Sequence, residues 1–396
     1  MKIGLISFHS FLQPGGVKRH ILGLHQEFKK RGIQSKIIAP RRSQSENYGK
    51  EVILLGTSFP WSATGTQGDF CINFNPFAIK KVLEKEEFDV LHFHNCGFPS
   101  TLQILEWSKA LNILTFHANL EKSSFVKSFP GFFYLFNKLV QWKIDGVIGV
   151  APLNLKTFKY YKGPKTVIPN GIDLKEFNPG VAKIKKYSDG KLNILFLGRI
   201  EERKGLIYLL KALKILNKKY ENLRLIVVGE GPLKEDYQKW IERNKLENVV
   251  FEKAISQKEV PSYYKTADIY CTPAIYGESF GIVLIEAMAV GTPVVAFANK
   301  GYKGVLEKGK GGRFLAKPRD YKTLAKKLEV LIRNPELRRE TGEWGKKESQ
   351  KYSWPKIVDQ VLSFYDFCQT NKANKVDKIK RKIYNKNIKR RDKSLL

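Results

Sequence analysis

Two glutamates, Glu278 and Glu286, are separated by seven residues in Tyr276-Gly277-Glu278-Ser279-Phe280-Gly281-Ile282-Val283-Leu284-Ile285-Glu286-Ala287-Met288. Glu278 falls in a glycine-rich loop, and Glu286 falls inside the apolar helix that follows. A carboxylate among apolar side chains is costly unless it is paired or bonded to a ligand. Hydroxyls of a ribose or hexose would satisfy it. Free N–H groups at the helix start, from Ser279 and Phe280 to Gly281 and Ile282, would receive a phosphate. A second group is Gly198-Arg199-Ile200 with Lys204-Gly205, between a buried strand and a helix start. That is the ligand edge of an open α/β sheet. Arg199 offers a planar fork and Lys204 a compact charge, a pair suited to a diphosphate. If the diphosphate were a leaving group, both would also stabilise charge that grows in the transition state. A third group, Pro14-Gly15-Gly16-Val17, follows the first apolar run. Gly15 and Gly16 permit close backbone approach to a ligand, and the next helix presents its positive end to an anion. Each group also has a plainer explanation: a partnered core glutamate with Ser279 as helix cap, two solvated cations, an ordinary turn.

The elements needed to hold these groups alternate along the chain. Short β-type runs at Lys2–Ser7, Ile33–Ala39, Asp89–Phe93, Ile113–Phe116, Gly146–Val150 and Thr166–Ile168, several of them continuous in Val, Ile and Leu, read as strands of a parallel sheet covered on both faces. Val17, Ile21, Leu24 and Phe28 recur at helical spacing between the first two, making one βαβ unit. The pattern weakens over the next stretch and restarts at Leu192–Leu197, Arg224–Val228, Val249–Phe251, Ile269–Thr272 and Pro293–Phe297. The expected organisation is an N-terminal Rossmann-like domain over residues 1–175 and a linker over 176–191. A second Rossmann-like domain follows over 192–352, then a helix over 353–370 returning to the first domain and a basic tail over 371–396. Ligands are expected in the cleft between the domains.

Composition narrows the function classes. Cys71, Cys96, Cys271 and Cys368 form no CxxC pair, so neither a zinc framework nor disulfides are suggested, and a reducing cytoplasm is expected. No secretory signal is visible at the N-terminus. The apolar stretch Phe280–Ala298 contains Glu286, Gly291 and Pro293 and reads as strand, helix and strand rather than a membrane span. His92 and His94 alternate along one strand and share a face, with His117 beyond the next strand. Without supporting carboxylate or cysteine ligands, no metal site is expected there.

The net charge of +32 attracts nucleic acid, anionic lipid or phosphorylated substrates alike. No helix-turn-helix, finger or RNP pattern is visible, so specific nucleic-acid binding is not expected, and the absence of GxGxxG argues against a nicotinamide oxidoreductase. A basic nucleic-acid- or membrane-binding protein on the same scaffold, without transferase activity, is the alternative. The aromatic and lysine-rich segment Ser123–Trp142 and the basic tail with Val376, Ile379 and Ile383 on one helical face suit an anionic membrane surface.

Taken together, these segments resemble the retaining, nucleotide-sugar glycosyltransferases of family 4, which have the GT-B fold. Glu278 and Glu286 resemble their EX7E motif, and Gly198-Arg199 with Lys204-Gly205 resembles their GR…KG segment. Val167-Ile168-Pro169-Asn170-Gly171-Ile172-Asp173, Gly15-Gly16-Val17 and Val228-Gly229-Glu230-Gly231-Pro232 resemble further family elements. Leu91-His92-Phe93-His94 and Thr115-Phe116-His117 are most similar to the phosphatidylinositol mannosyltransferases. The resemblance implies diphosphate contacts for Arg199 and Lys204, hexose contacts for Glu278 and ribose contacts for Glu286. It implies a role for His117 near the reacting centre and close approach of Gly15 and Gly16 to the donor phosphates. Acceptor contacts are expected from Lys18, Arg19, His20 and His94. The donor is expected to be GDP-mannose or a UDP-hexose and the acceptor a lipid or glycan. No cofactor and no metal are expected, and no Asp-x-Asp pair occurs in the chain. The expected location is cytoplasmic, with peripheral attachment to the inner face of the cell membrane.

Overall fold

A computed structural model describes residues 1–12, 15–61, 68–97, 99–119, 131–253 and 255–392, with backbone alone at 60–61, 68–69 and 375–392. The first half builds an eight-stranded sheet from β1 (Lys2–Ser7), β2 (Gln34–Arg41), β3 (Val52–Trp61), β4 (Gly68–Ile72), β5 (Val90–His94), β6 (Leu111–Phe116), β7 (Gly146–Gly149) and β8 (Lys165–Val167). Their order is β4-β3-β2-β1-β5-β6-β7-β8, parallel except for the antiparallel β3–β4 pair. The second half builds a parallel six-stranded sheet from β9 (Leu192–Leu197), β10 (Leu223–Val228), β11 (Val249–Glu252), β12 (Ile269–Thr272), β13 (Val294–Phe297) and β14 (Leu315–Ala316), in the order β11-β10-β9-β12-β13-β14. The α/β architecture with two Rossmann-like halves is therefore the one expected from the alternating pattern. The antiparallel β3–β4 extension was not anticipated. A register shift between Ala39 and Arg41 and the left-handed Gly56 interrupt the regular pattern there.

Buried apolar runs explain why the central strands form. Ile3, Leu5 and Ile6 in β1 and Ile194, Leu195 and Phe196 in β9 are almost wholly buried. Each sheet changes direction of strand order beside its first strand, at β2-β1-β5 and at β10-β9-β12. Loops leaving the strand ends diverge at such switch points and open a crevice. The loops after β1 and β9 carry Gly15–Gly16 and Arg199–Lys204 respectively, so topology alone brings the candidate residues to the two facing crevices.

The last helix, Trp354–Asp392, crosses back and packs on the first half. Tyr365 bonds His92 at 2.6 Å, Arg31 pairs with Asp359 at 2.6 Å, and Lys372 pairs with Asp145 at 2.9 Å. Of the two segments considered for membrane contact, residues 123–130 lie outside the described residues, as do the side chains of the tail from residue 375. The remainder of the aromatic segment forms the helix Phe132–Lys143, which buries Phe136 and Val140 and leaves Tyr134, Leu135 and Trp142 exposed. No helix among the described residues is long and apolar enough to cross a membrane.

Close packing of the returning helix depends on Gly23, where a Cβ would lie 2.0 Å from the Trp354 ring. Alanine in place of a helical glycine ordinarily stabilises by up to about 1 kcal/mol. Here the rigid indole stands in its way, and Gly23→Ala should lower stability by about 1–3 kcal/mol, the usual cost of overpacking a well-filled core. Chemical denaturation of both proteins measures the difference; a midpoint that rises on substitution would contradict this packing.

Candidate active site

Glu278 sits in the loop between β12 and the helix Ile282–Ala289, framed by two glycines in the left-handed region, Gly277 and Gly281. A Cβ on Gly281 would meet the Tyr302 ring at 2.6 Å, so only glycine lets the chain turn into this helix. The neighbouring loop after β9 is pressed against it. Gly205, also left-handed, leaves no room for a side chain: a Cβ would lie 2.1 Å from the Pro273 carbonyl oxygen. The Ile275 N–H donates to the Arg203 carbonyl at 2.8 Å, tying the two loops together.

This contact delivers two cations to Glu278. Its Oε1 accepts from Lys204 Nζ at 2.7 Å and from Arg203 Nη1 at 3.1 Å. Burial works against the Glu278 charge, but Lys204 and then Arg203 outweigh it and hold the carboxyl below the usual carboxylate range. Arg203 also pairs through Nε with Glu201 at 2.6 Å, and Arg199 lies 3.5 Å from the same carboxylate with its side chain half exposed. Arg199 and Lys204 thus flank one crevice, and Lys204 reaches Glu278 while Arg199 faces the open side. Arg203 was missed by sequence reasoning; its signal was the unbroken Arg203-Lys204 pair at the end of a short turn.

Glu286 lies one turn inside the following helix and is 1% exposed. Arg19, from the first turn of the helix Gly16–Lys30 in the other half, pairs with its Oε1. The Tyr264 hydroxyl donates to Oε2 at 3.1 Å. The Glu286 carboxylate keeps the guanidinium firmly protonated. Burial pushes the Glu286 carboxyl up, opposed first by Arg19 and then by Tyr264. The structure therefore separates Arg19 from its expected neighbours on the acceptor side and joins it to a carboxylate of the second half. Tyr264 carried no sequence signal, because its role arises only when its helix packs against the Glu286 helix.

Two further bonds cross between the halves. Ser279 Oγ donates to the His117 carbonyl at 2.6 Å, and Asn119 Nδ2 donates to the Glu278 carbonyl at 3.2 Å. Ser279 is thus a bridge rather than a helix cap, and Gly281 occupies the cap position. Phe280 is buried against Tyr352, and Ile282 opens the helix. Gly15 is extended and Gly16 begins its helix; a Cβ on either would meet nothing within 4 Å. The first intrahelical bond of this turn is Arg19 N–H to the Gly15 carbonyl, so the amides of Gly16, Val17 and Lys18 have no acceptor within the helix. Lys18 instead turns its ammonium onto the Phe11 carbonyl and over the Phe11 ring, and its partial burial lowers its pKa.

Behind this seam the first half stacks its histidines. His94 Nδ1 lies 3.2 Å from His117 Nε2, and the His20 ring lies 4.8 Å from that of His117 and 5.3 Å from that of His94. His92 and His94 do share a face of β5, with ring centroids 4.4 Å apart. Burial pushes His20 down to about 4 and His94 and His117 well below the ordinary imidazole value, so all three are neutral at physiological pH. Among the described residues His94 Nε2 is buried without a hydrogen-bond partner, while His20 has Asn170 beside it. One ligand atom from each of the three lies within 4.8 Å of the others, which makes this the one group among the described residues with a geometry near that of a metal site.

Known proteins resemble this chain in sequence and in fold. A description of glycosyltransferase family 4 matches residues 14–176, and one of the glycosyl transferases group 1 matches residues 181–348. The chain is 32% identical over 377 residues to the phosphatidyl-myo-inositol mannosyltransferase of Mycobacterium leprae, covering 94% of this chain and 98% of the relative. Sucrose-phosphate synthase from Thermosynechococcus elongatus superimposes with a TM-score of 0.74 at 21% identity, over 93% of this chain and 99% of that one. Anabaena Alr3699/HepE, solved with UDP and glucose, does so with a TM-score of 0.70 at 20% identity, over 92% and 99%. With both halves matched in order and a relative matched nearly end to end, the chain belongs to the family 4 glycosyltransferases and has their GT-B fold.

Proposed function

We propose that this glycosyltransferase moves a hexose of mannose or glucose type from a nucleotide sugar to a lipid-linked or glycan acceptor, with retention of configuration and without a metal ion. The observation that carries the proposal is the ionised Glu278, held by Lys204 and Arg203 where the backbone of His117 and the side chain of Asn119 meet its loop. A hexose seated there would give hydroxyls to Glu278, whose Oε2 takes neither of its two ion pairs. Lys204 has three N–H donors, so one bond to Glu278 leaves two for a diphosphate. Arg199 would complete the cationic wall from its half-exposed position, and the open Gly15–Gly16 turn would lay its amides against the same phosphates. Glu286 would take the ribose. The helix start from Ser279 through Phe280 and Gly281 to Ile282 would carry the donor between the two glutamates.

In this scheme the bond from the anomeric carbon to the diphosphate oxygen breaks while the acceptor oxygen bonds the same face. The acceptor proton passes to the departing phosphate oxygen. The cations then act on charge that grows as the bond breaks, where fixed charges contribute most. His117 is kept neutral by burial, so it would orient sugar and acceptor by hydrogen bonding rather than as a charged acid. The acceptor would enter on the first half's side of the seam, with His20 and His94 buried behind His117 as support and Lys18 nearby on the same helix as His20.

The relative named for transfer of mannose to phosphatidyl-myo-inositol supports a mannosyl donor, for which GDP-mannose is our choice, with an inositol phospholipid acceptor, and the HepE complex with UDP and glucose supports a UDP-hexose. A lipid acceptor would put the reaction at a membrane surface, and peripheral attachment on the cytoplasmic side is the arrangement we favour. Phe74 and Phe77 stand 74% and 72% exposed beside the start of the helix Pro76–Glu86, which continues into Lys80 and Lys81. Apolar rings next to lysines on a chain of net charge +32 suit an anionic leaflet. DNA binding would be non-specific and salt-sensitive.

Three measurements test this. A thermal-shift panel of nucleotide sugars should raise the melting midpoint with GDP-mannose or a UDP-hexose in the absence of divalent ions, since a ligand of the native state alone stabilises it. No response to any nucleotide would contradict the donor site. Glu278→Gln, which keeps shape but removes the charge, should lower kcat/KM by about 10²–10³-fold while the protein still melts cooperatively; near-normal turnover would remove Glu278 from the site. Sedimentation with vesicles should show binding to anionic lipid that weakens with salt, and equal binding to neutral vesicles would count against the membrane role.

A further inference from the structure

We propose that Arg19 is a positioning residue of the donor site: it reaches across the seam to hold Glu286 ionised and oriented for the ribose, so that donor binding and approach of the two halves become one event. The proposal rests on the ribose role given to Glu286 above.

Glu286 is almost wholly buried and sits in an apolar helix whose neighbours Leu284, Ile285, Ala287 and Met288 are buried with it. An isolated charge in such a place would be lost by protonation. The described groups facing it are the Arg19 guanidinium, the Tyr264 and Tyr270 hydroxyls and the Glu176 carboxyl. Arg19 is the one cation among them. The negative charge of Glu176 opposes ionisation of Glu286, and Glu176 is itself pushed up by burial, then by Asp173 and Glu286. Remove Arg19, and only the Tyr264 hydrogen bond still favours the carboxylate.

The pairing leaves the carboxylate acceptor capacity for a ribose once the halves part enough to admit it, since Glu286 is almost wholly buried here. A carboxylate has about four lone-pair positions, of which Arg19 takes one on Oε1 and Tyr264 one on Oε2. The two left over match the adjacent 2′- and 3′-hydroxyls of a ribose. An ionised acceptor bonds those hydroxyls about twice as strongly as a neutral one. Arg19 is also rooted in the turn that begins at Gly15–Gly16, whose open face is proposed for the diphosphate. One side chain therefore fixes the spacing between a phosphate contact in the first half and a ribose contact in the second.

The test is equilibrium binding of GDP and of UDP to the full chain across about pH 6 to 9, for wild type, Arg19→Ala, Arg19→Lys and Glu286→Gln. Taking each variant's dissociation constant as a ratio to wild type removes the nucleotide's own titration. Without Arg19 the Glu286 carboxyl rises, so the needed anion is lost as pH falls. Arg19→Ala should bind roughly tenfold more weakly than wild type near pH 6 and within about threefold near pH 9. Arg19→Lys should recover most of the loss, and donor KM should rise more than kcat falls. A ratio for Arg19→Ala that stays at one, or that is the same at every pH, would overturn the proposal. If Glu286→Gln weakens binding while Arg19→Ala does not, the positioning role fails and the ribose role stands. If Glu286→Gln binds as wild type does, the ribose role itself fails.

Discussion

Two carboxylates at a seam between the two halves, Glu286 buried and Glu278 partly buried, set the terms for the rest of the molecule. Neither Glu278 nor Glu286 can keep its charge unless a cation reaches it, because burial alone drives a carboxyl towards the neutral form. The chain meets this need in two different ways. Glu278 draws both its cations, Lys204 and Arg203, from its own half, through two loops locked together at Gly205 and Pro273. Glu286 draws its cation from the opposite half, through Arg19. The first arrangement persists whatever the halves do. The second exists only when they are together.

The two walls of the seam differ in kind. The second half presents paired charges, with Arg199, Arg203 and Lys204 against Glu201 and Glu278. The first half presents neutral imidazoles, stacked behind His117 and stripped of protons by burial. A departing diphosphate gains from the charged wall, while an acceptor hydroxyl needs hydrogen-bond partners without a competing positive charge. The same division explains why His94 Nε2 can stay without a partner among the described residues on the neutral wall. An unmet buried nitrogen costs roughly 1–3 kcal/mol, a cost that function sites carry more often than cores do.

Much of this was legible in the sequence, for a physical reason. Parallel strands buried on both faces are rich in Val, Ile, Leu and Phe with few polar breaks, so β1, β5, β9 and β10 stand out directly. Glu286 stood out because a charge inside an apolar helix demands a partner. What could not be read was the identity of that partner. Arg19 lies 267 residues away in another half, and its basic neighbours Lys18 and His20 suggested a common acceptor role. In the structure the three diverge around the helix: Lys18 turns back to Phe11, His20 packs beneath His117, and Arg19 alone crosses the seam. Helical geometry separates consecutive side chains by about a quarter turn, which a linear reading of charge does not register.

The returning C-terminal helix makes the asymmetry between the walls mechanically useful. It belongs to the first half by packing, with Trp354 filling the space at Gly23 and Gly171 and lying beside His20. The chain thus passes between halves twice, before β9 and again before Trp354, and the two passages are bonded to each other through Ile172 N–H and the Tyr352 carbonyl. Rotation about that point would leave both sheets intact. It would break the Arg19–Glu286 pair and the bonds joining Ser279 to His117 and Asn119 to Glu278, which water or ligand can replace, and it would also part Val150 from the second half's apolar core. Apolar interfaces resist such motion, while small polar ones allow it. Because Glu278 keeps its cations in either arrangement, the hexose side of the crevice would stay formed throughout, and closure would act chiefly on Glu286 and the Gly15–Gly16 turn. Order of assembly follows from where each charge finds its partner.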